Sequence, residues 1–258
     1  MKNIKQRLQN DQLVVVLGMG RLLHHNYIQM LGIQGGFHGL WFDHEHTGFS
    51  MESLEVATLA ARSQNLDCFV RIAPTDYAIV TRCLEAGGGG VMAAQIESAA
   101  QAREFVQWAK FGPLGKRGLN TSGWDGQYAK LAPAEFCKKA NEENFVAIQI
   151  ETLGALEECD EIASLEGVDH LFVGPSDLSQ SLGLTGDFMN PKCLEALDRV
   201  AAACKNHGIS WGAVCANREH GEMMIEKGCR LISPVSDTKL INIGIQATKE
   251  QFSSFFCE

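Results

Sequence analysis

Short apolar runs alternate with longer segments of helical period along the whole chain, and this alternation predicts strands and helices taking turns. The strand-length runs are Leu13 to Leu17, Gly39 to Phe42, Cys68 to Ala73, Val91 to Ile96, Phe145 to Ile150, His170 to Val173, Ser210 to Cys215 and Arg230 to Ser233. Each is followed by a segment that reads as a helix, so eight strand-helix units are expected. Regular β-then-α order is the signature of a parallel α/β sheet. Eight such units in 258 residues predict one domain, 1–258, folded as a single (β/α)8 TIM barrel.

Punctuation supports the pattern. Gly87, Gly167, Gly208 and Gly228 each stand where a helix must leave the right-handed region just before a strand. Asp76, Ser98 and Asn217 are candidate helix N-caps, and Pro191 suits a first helical turn, where its missing N–H costs nothing. The run Gly87 to Gly90 lacks the Lys-Ser/Thr of a P-loop and reads as a turn feeding strand four rather than a phosphate cradle. Met1 to Leu8 reads as a short helix closing the bottom of the barrel, and Thr238 to Phe256 as the last outer helix. Only between Phe111 and Asn144 does the alternation break, which marks an insertion after the fourth unit that could cover a substrate.

Composition narrows the class. With 45% hydrophobic and 21% charged residues, the chain can bury a large core. A net charge of -9 argues against nucleic acid, whose phosphates are met by Lys and Arg clusters. No run approaches the roughly 18 to 20 apolar residues that span a bilayer, and the start, Met1 to Arg7, lacks an apolar signal core, so a cytoplasmic location away from membranes is expected. Nine scattered cysteines with no close pair read as small buried hydrophobes in a reducing compartment.

Polar groups stand at strand ends where a purely structural barrel would not need them: Asp43, Glu45 and His46 after strand two, Arg71 in strand three, Gln149 and Glu151 on strand five, and Asp177 after strand six. Barrel enzymes gather their chemistry at that rim. Glu151 and Asp177, one unit apart, suit a hard divalent cation with positions left open for a small oxyanion; the plain alternative is that they cap the helices that follow. Arg71, inside the run Phe69-Val70-Arg71-Ile72, either meets an acidic partner or awaits an anionic substrate. His46 is either a satisfied structural group or, at this rim, the group that takes a hydroxyl proton as a carbon–carbon bond breaks. None of the expected strands carries a Lys, which excludes a Schiff-base aldolase of this fold. Lys116 and Arg117 are loop cations that either greet an anion or sit in a solvated turn.

The set Asp43-x-Glu45-His46, Arg71, Lys116-Arg117-Gly118, Gln149-Ile150-Glu151-Thr152, Glu166-Gly167-Val168-Asp169 and Gly174-Pro175-Ser176-Asp177-Leu178-Ser179 resembles the HpcH/HpaI family of class II pyruvate aldolases over almost the whole chain. The resemblance implies a barrel that swaps its last helix between partners and assembles as a homo-oligomer, a trimer or a hexamer. It also implies a Mg2+, Mn2+ or Co2+ cofactor and reversible cleavage of a 4-hydroxy-2-oxo acid, either a hydroxy-oxo dioic acid or a 2-keto-3-deoxy sugar acid, to pyruvate and an aldehyde. By that pattern Glu151 and Asp177 ligate the metal, Arg71 binds the pyruvyl oxygen, and Gln149, Gly174, Pro175 and Ser176 line the substrate. His46 matches the catalytic His, and Glu85 holds the place of the Asp that partners it. Four positions depart from the pattern: Glu85 for Asp, Gly89 for a usual Gln, Ala94 for a Pro and Gly20 for a frequent Trp, all expected to touch the pocket more than the metal. Oxaloacetate decarboxylation, an acyl-CoA lyase activity like that of the citrate lyase β subunit, and a silent keto-acid-binding barrel remain as alternatives.

Overall fold

The computed structural model describes residues 3–256; Met1 and Lys2 of the expected first helix, and Cys257, lie outside them. The chain opens with α1 (Ile4–Gln9), β1 (Val14–Met19), α2 (His25–Gln34), β2 (Gly39–Asp43), α3 (Met51–Ser63), β3 (Asp67–Ile72), α4 (Tyr77–Glu85) and β4 (Gly90–Ala93). Then come α5 (Ala99–Ala109), α6 (Pro133–Glu143), β5 (Phe145–Ile150), α7 (Leu153–Glu157), α8 (Cys159–Ser164), β6 (His170–Val173) and α9 (Pro175–Ser181). The last elements are α10 (Pro191–His207), β7 (Ser210–Val214), α11 (Arg218–Glu226), β8 (Leu231–Ser236) and α12 (Asp237–Gln251). The eight strands pair in chain order, all parallel, and β8 closes on β1. Each expected strand is present, and the (β/α)8 barrel is the fold.

Strand side chains alternate faces, and here the two faces become two cores. Leu17, Leu40, Val70, Val91, Ile148 and Leu171 point outward and pack under the helices. Val14, Val16, Trp41, Phe69, Met92, Phe145, Ala147, Phe172 and Leu231 point inward and fill the barrel. Following the inward face two residues at a time, Trp41 leads to Asp43, Phe69 to Arg71, Ala147 to Gln149 and on to Glu151, and Phe172 to Gly174. The alternation that fills the barrel thus delivers polar groups to one rim.

The other end is sealed. Ile4 and Leu8 of α1 join the interior cluster, and the Ile4 N–H donates to Asp67 Oδ2 at 2.7 Å. Asn3 and Gln6 form a reciprocal capping box that starts this helix. The four glycines after helices all have positive φ, from 67° at Gly208 to 97° at Gly87 and Gly167. Asp76, Ser98 and Asn217 do cap α4, α5 and α11. Among the described residues no helix is long and apolar enough to cross a membrane.

Two expectations fail on direction. The insertion leaves from α5, a helix that has already run back to the bottom of the barrel, so the loop lies against the end opposite the rim. There Lys116 N–H donates to Gln107 O, Arg117 N–H to Lys110 O and Asn120 Nδ2 to Glu85. A cavity of about 270 Å3 separates the loop and α6 from Asp67 and the Gly87 to Gly89 turn. The insertion therefore does not cover the rim of its own chain. Arg117 is buried, paired with Asp125 and stacked over Phe111 at 4.7 Å, so it is a structural cation.

Candidate active site

Glu151 is fully buried just past β5. One carboxylate oxygen accepts the Gln95 backbone N–H at 2.8 Å and its side-chain amide at 3.1 Å, and the other accepts Gln149 Nε2. Burial pushes its pKa up to about 7; the Gln95 N–H pulls it down, Glu45 and Asp177 push it further up, and Arg71 eases it. Gly174 has no side chain for a spatial reason: a Cβ there would lie 2.4 Å from Glu151 Oε2 and 2.5 Å from Gln149 Nε2. Pro175 takes the first position of α9, Ser176 follows it exposed, and Asp177 stands in the first turn. The Asp177 carboxylate makes no hydrogen bond or ion pair among the described residues, so it does not cap α9.

Arg71 is buried and lies over the Trp41 ring at 4.7 Å. Its Nε donates to Asp43 Oδ1 at 3.1 Å and its Nη2 lies 2.9 Å from Asp43 Oδ2. Glu45 Oε2 is 3.2 Å from the same Nε, but that N–H is aimed at Asp43, which leaves the Glu45 oxygen buried without a hydrogen bond. Arg71 meets the acidic partners that were one of its two expected fates: carboxylates fix one side of the guanidinium, and among the described residues no hydrogen bond engages Nη1. Burial raises the Glu45 pKa, Arg71 and His46 oppose it, and Asp43 and Asp177 add to it.

Asp43, Glu45, Glu151 and Asp177 thus face a single guanidinium, an excess of negative charge that a cation would offset. Among the described residues no three His, Cys, Asp or Glu groups converge on one metal position. A dication here would take Glu151 and Asp177 and leave its other positions to water or substrate, the habit of Mg2+ rather than of zinc. The residues fit such an ion.

His46 sits at the mouth of this rim, its side chain 59% exposed and its Nε2 3.7 Å from Glu45 Oε2. Glu85 is elsewhere. It ends α4 at the bottom of the barrel, bonded to Asn120, with its pKa raised first by burial and then by Asp125. The length of β3 separates it from His46, so within one chain the two form no dyad. Gly89 also lies at the bottom, where its N–H donates to Cys68 O, so neither of these departures touches the pocket of its own chain. At the rim, a Cβ on Gly20 would lie 2.7 Å from Thr47 Cγ2, so Thr47 occupies the room a larger residue would need. Gly18, Gly20, Arg21, Trp41, Asp43 and Thr47 help line a rim cavity of about 200 Å3.

Among the described residues no strand carries a lysine. The buried Lys110, whose pKa falls to about 8 through burial, ties the carbonyls of Asn141 and Asn144 at the bottom. Of the other histidines, His24 caps α2, His38 accepts from Val15 N–H, His207 pairs with Asp160, and His170 and His220 are buried. Gln95 was not foreseen. Its φ of 52°, rare for a residue with a side chain, turns both of its donors onto Glu151.

Comparison with known proteins gives the family. The chain is 28% identical to a hydroxypyruvate/pyruvate aldolase of Pseudomonas aeruginosa, over 92% of this chain and 87% of that one. It is 30% identical to a 4-hydroxy-4-methyl-2-oxoglutarate aldolase of Hapsidospora irregularis, over 93% and 91%. The crystal structure of an HpcH/HpaI aldolase from Desulfitobacterium hafniense superposes with a TM-score of 0.89 at 27% identity, covering 97% of this chain and 98% of that one. The profile described as HpcH/HpaI aldolase/citrate lyase matches residues 40–242. The chain belongs to that family and is a carbon–carbon lyase.

Proposed function

We propose that the protein catalyses the reversible aldol cleavage of a 4-hydroxy-2-oxo acid to pyruvate and an aldehyde, with Mg2+, Mn2+ or Co2+ held by Glu151 and Asp177. The observation that carries this reading is the meeting, on one rim, of a buried carboxylate, a carboxylate without a protein partner and a guanidinium with one free edge. When bound, the cation held by Glu151 and Asp177 would supply Lewis acidity toward a bound 2-oxo acid. Arg71 Nη1 donates to the keto oxygen and steadies the negative charge that grows there as the enolate forms. Gln149 holds the Glu151 carboxylate in place, and the bare backbone of Gly174, with Pro175 and Ser176, walls the pyruvyl group. His46 accepts the 4-hydroxyl proton as the C3–C4 bond breaks and its electron pair passes to the enolate, which takes a proton from water at C3 to become pyruvate; in the condensation direction the same transfers run in reverse. The names of the two relatives above, both aldolases, support the same substrate class.

The assembly is a homo-oligomer, trimer or hexamer, that shares α12 between chains. Supporting this, every residue of α12 from Ile241 onward is exposed, including Ile243 and Ile245. In such an assembly a His46–Glu85 pair forms only across a chain boundary. The eight cysteines of the described residues are all free, which suits the cytoplasm.

The test is pyruvate release from a panel of 4-hydroxy-2-oxo acids differing at C4, read by coupled reduction with NADH in the presence of Mn2+. Turnover with at least one member is expected. Faster carbon dioxide release from oxaloacetate than aldol cleavage of any member would favour a decarboxylase, and no turnover at all would favour a silent binding barrel.

A further inference from the structure

A single carboxylate ties down the loop that follows β1. Asp237, the first residue of α12 and only 3% exposed, accepts three backbone N–H groups on Oδ2: Gly20 at 2.9 Å, Arg21 at 2.9 Å and Leu22 at 2.8 Å. Its Oδ1 accepts the Thr238 N–H at 2.6 Å. Among the described residues no Lys or Arg pairs with it, so the converging amides of the loop act as its counter-charge. Capping α12 does not explain the arrangement, because Ser236 already accepts the Lys239 N–H as the N-cap.

The tether continues toward the chemistry. Arg21, carried on the bound loop, donates from Nη2 to the backbone carbonyl of His46 at 2.9 Å. From the other side, Asp43 Oδ1 accepts the His46 N–H at 3.2 Å. The His46 imidazole itself has little to hold it, with Glu45 at 3.7 Å and more than half its surface in water. Its backbone is therefore what sets where the ring points. The loops after β1 and β2 also pack without slack, as the close approach of Gly20 to Thr47 shows.

We infer that Asp237, acting through Arg21, is a positioning residue for His46, linking the start of α12 to the proton-transfer group. The inference rests on the aldol reading above. A general base working from an exposed loop depends on orientation, and small displacements cost rate without costing affinity for the remote part of the substrate.

The experiment compares Asp237→Ala, Asp237→Asn, Arg21→Ala and the double Asp237→Ala/Arg21→Ala with the native enzyme loaded with Mn2+. Asp237→Ala and Arg21→Ala each lower kcat about tenfold with pyruvate and Mn2+ affinity unchanged, the double variant is no slower than Asp237→Ala, and Asp237→Asn recovers most of the rate. Hydrogen exchange at Arg21 and Leu22 accelerates in Asp237→Ala whatever the activity. Unchanged kcat in Arg21→Ala, a surface variant that keeps the fold, overturns the proposal, as does multiplication of the two effects in the double variant. A native enzyme that turns over no oxo acid sinks the aldol reading and the inference together, whereas an active native enzyme with an indifferent Arg21 sinks the inference alone.

Discussion

His46 and the pair Glu151 and Asp177 divide the proposed work, so they fail differently when removed. Glu151, Asp177 and Arg71 form the binding half, and no described contact joins His46 to the first two. His46→Ala therefore keeps pyruvate and cation affinity while kcat for cleavage falls by roughly 10^2 to 10^4; isothermal titration beside steady-state kinetics checks this, and an unchanged kcat removes His46 from the mechanism. The residues legible in the sequence were those that interrupt apolar strands at even spacing, such as Arg71 and Gln149. Gln95 escaped because its task comes from a backbone conformation, φ 52°, that residue type does not announce. Asp237 escapes because Pro234 breaks the apolar run, so the pattern ends the strand at Ser233 and begins the helix at Thr238. In the structure β8 passes Pro234 with one extra residue, Val15 pairing with Ile232 and Leu17 with Val235, and delivers Asp237 to the rim.

At the scale of elements, α1 has the clearest energetic task. Ile4 and Leu8 are buried against the inward-facing residues of the barrel, and the Ile4 N–H is held by Asp67. Ile4→Ala removes that plug and lowers stability by about 2 to 5 kcal/mol, visible as a reduced urea midpoint; an unmoved midpoint would mean that α1 is ornamental. Strand positions were legible because each inward and outward face is apolar, and helix ends because glycine and capping side chains have few other uses there. The insertion was misplaced for a reason of direction. In a β-then-α alternation, a loop that leaves a helix emerges at the opposite end from one that leaves a strand, and the break in pattern at Phe111 follows α5. The same logic separates Glu85 from His46, since α4 runs from rim to bottom and Glu85 is its last residue.

For the molecule as a whole, stability against acid is set in part by His170, buried in the lowest layer of the barrel with Nδ1 2.7 Å from Ser210 Oγ and Nε2 without a partner. Burial lowers its pKa to about 3 from an ordinary 6.5. Between those values the unfolded chain binds a proton that the folded chain refuses. The contribution is complete above pH 6.5 and is lost as pH falls below it, by about 1.4 kcal/mol per unit. His170→Phe should make the acid-side decline in stability shallower by one proton, whatever it costs at neutral pH; an identical slope would show that His170 titrates normally. The barrel was legible from the count of units, whereas the exposure of the α12 isoleucines was not, because it shows only once the rest of the fold is in place. Whether Glu151 and Asp177 hold an activating dication is decided by pyruvate release after the enzyme is stripped with a chelator and Mn2+ is then restored. Background rates are expected when stripped, with full recovery in the native enzyme and none in Glu151→Ala or Asp177→Ala. Undiminished turnover by the stripped enzyme would contradict that role.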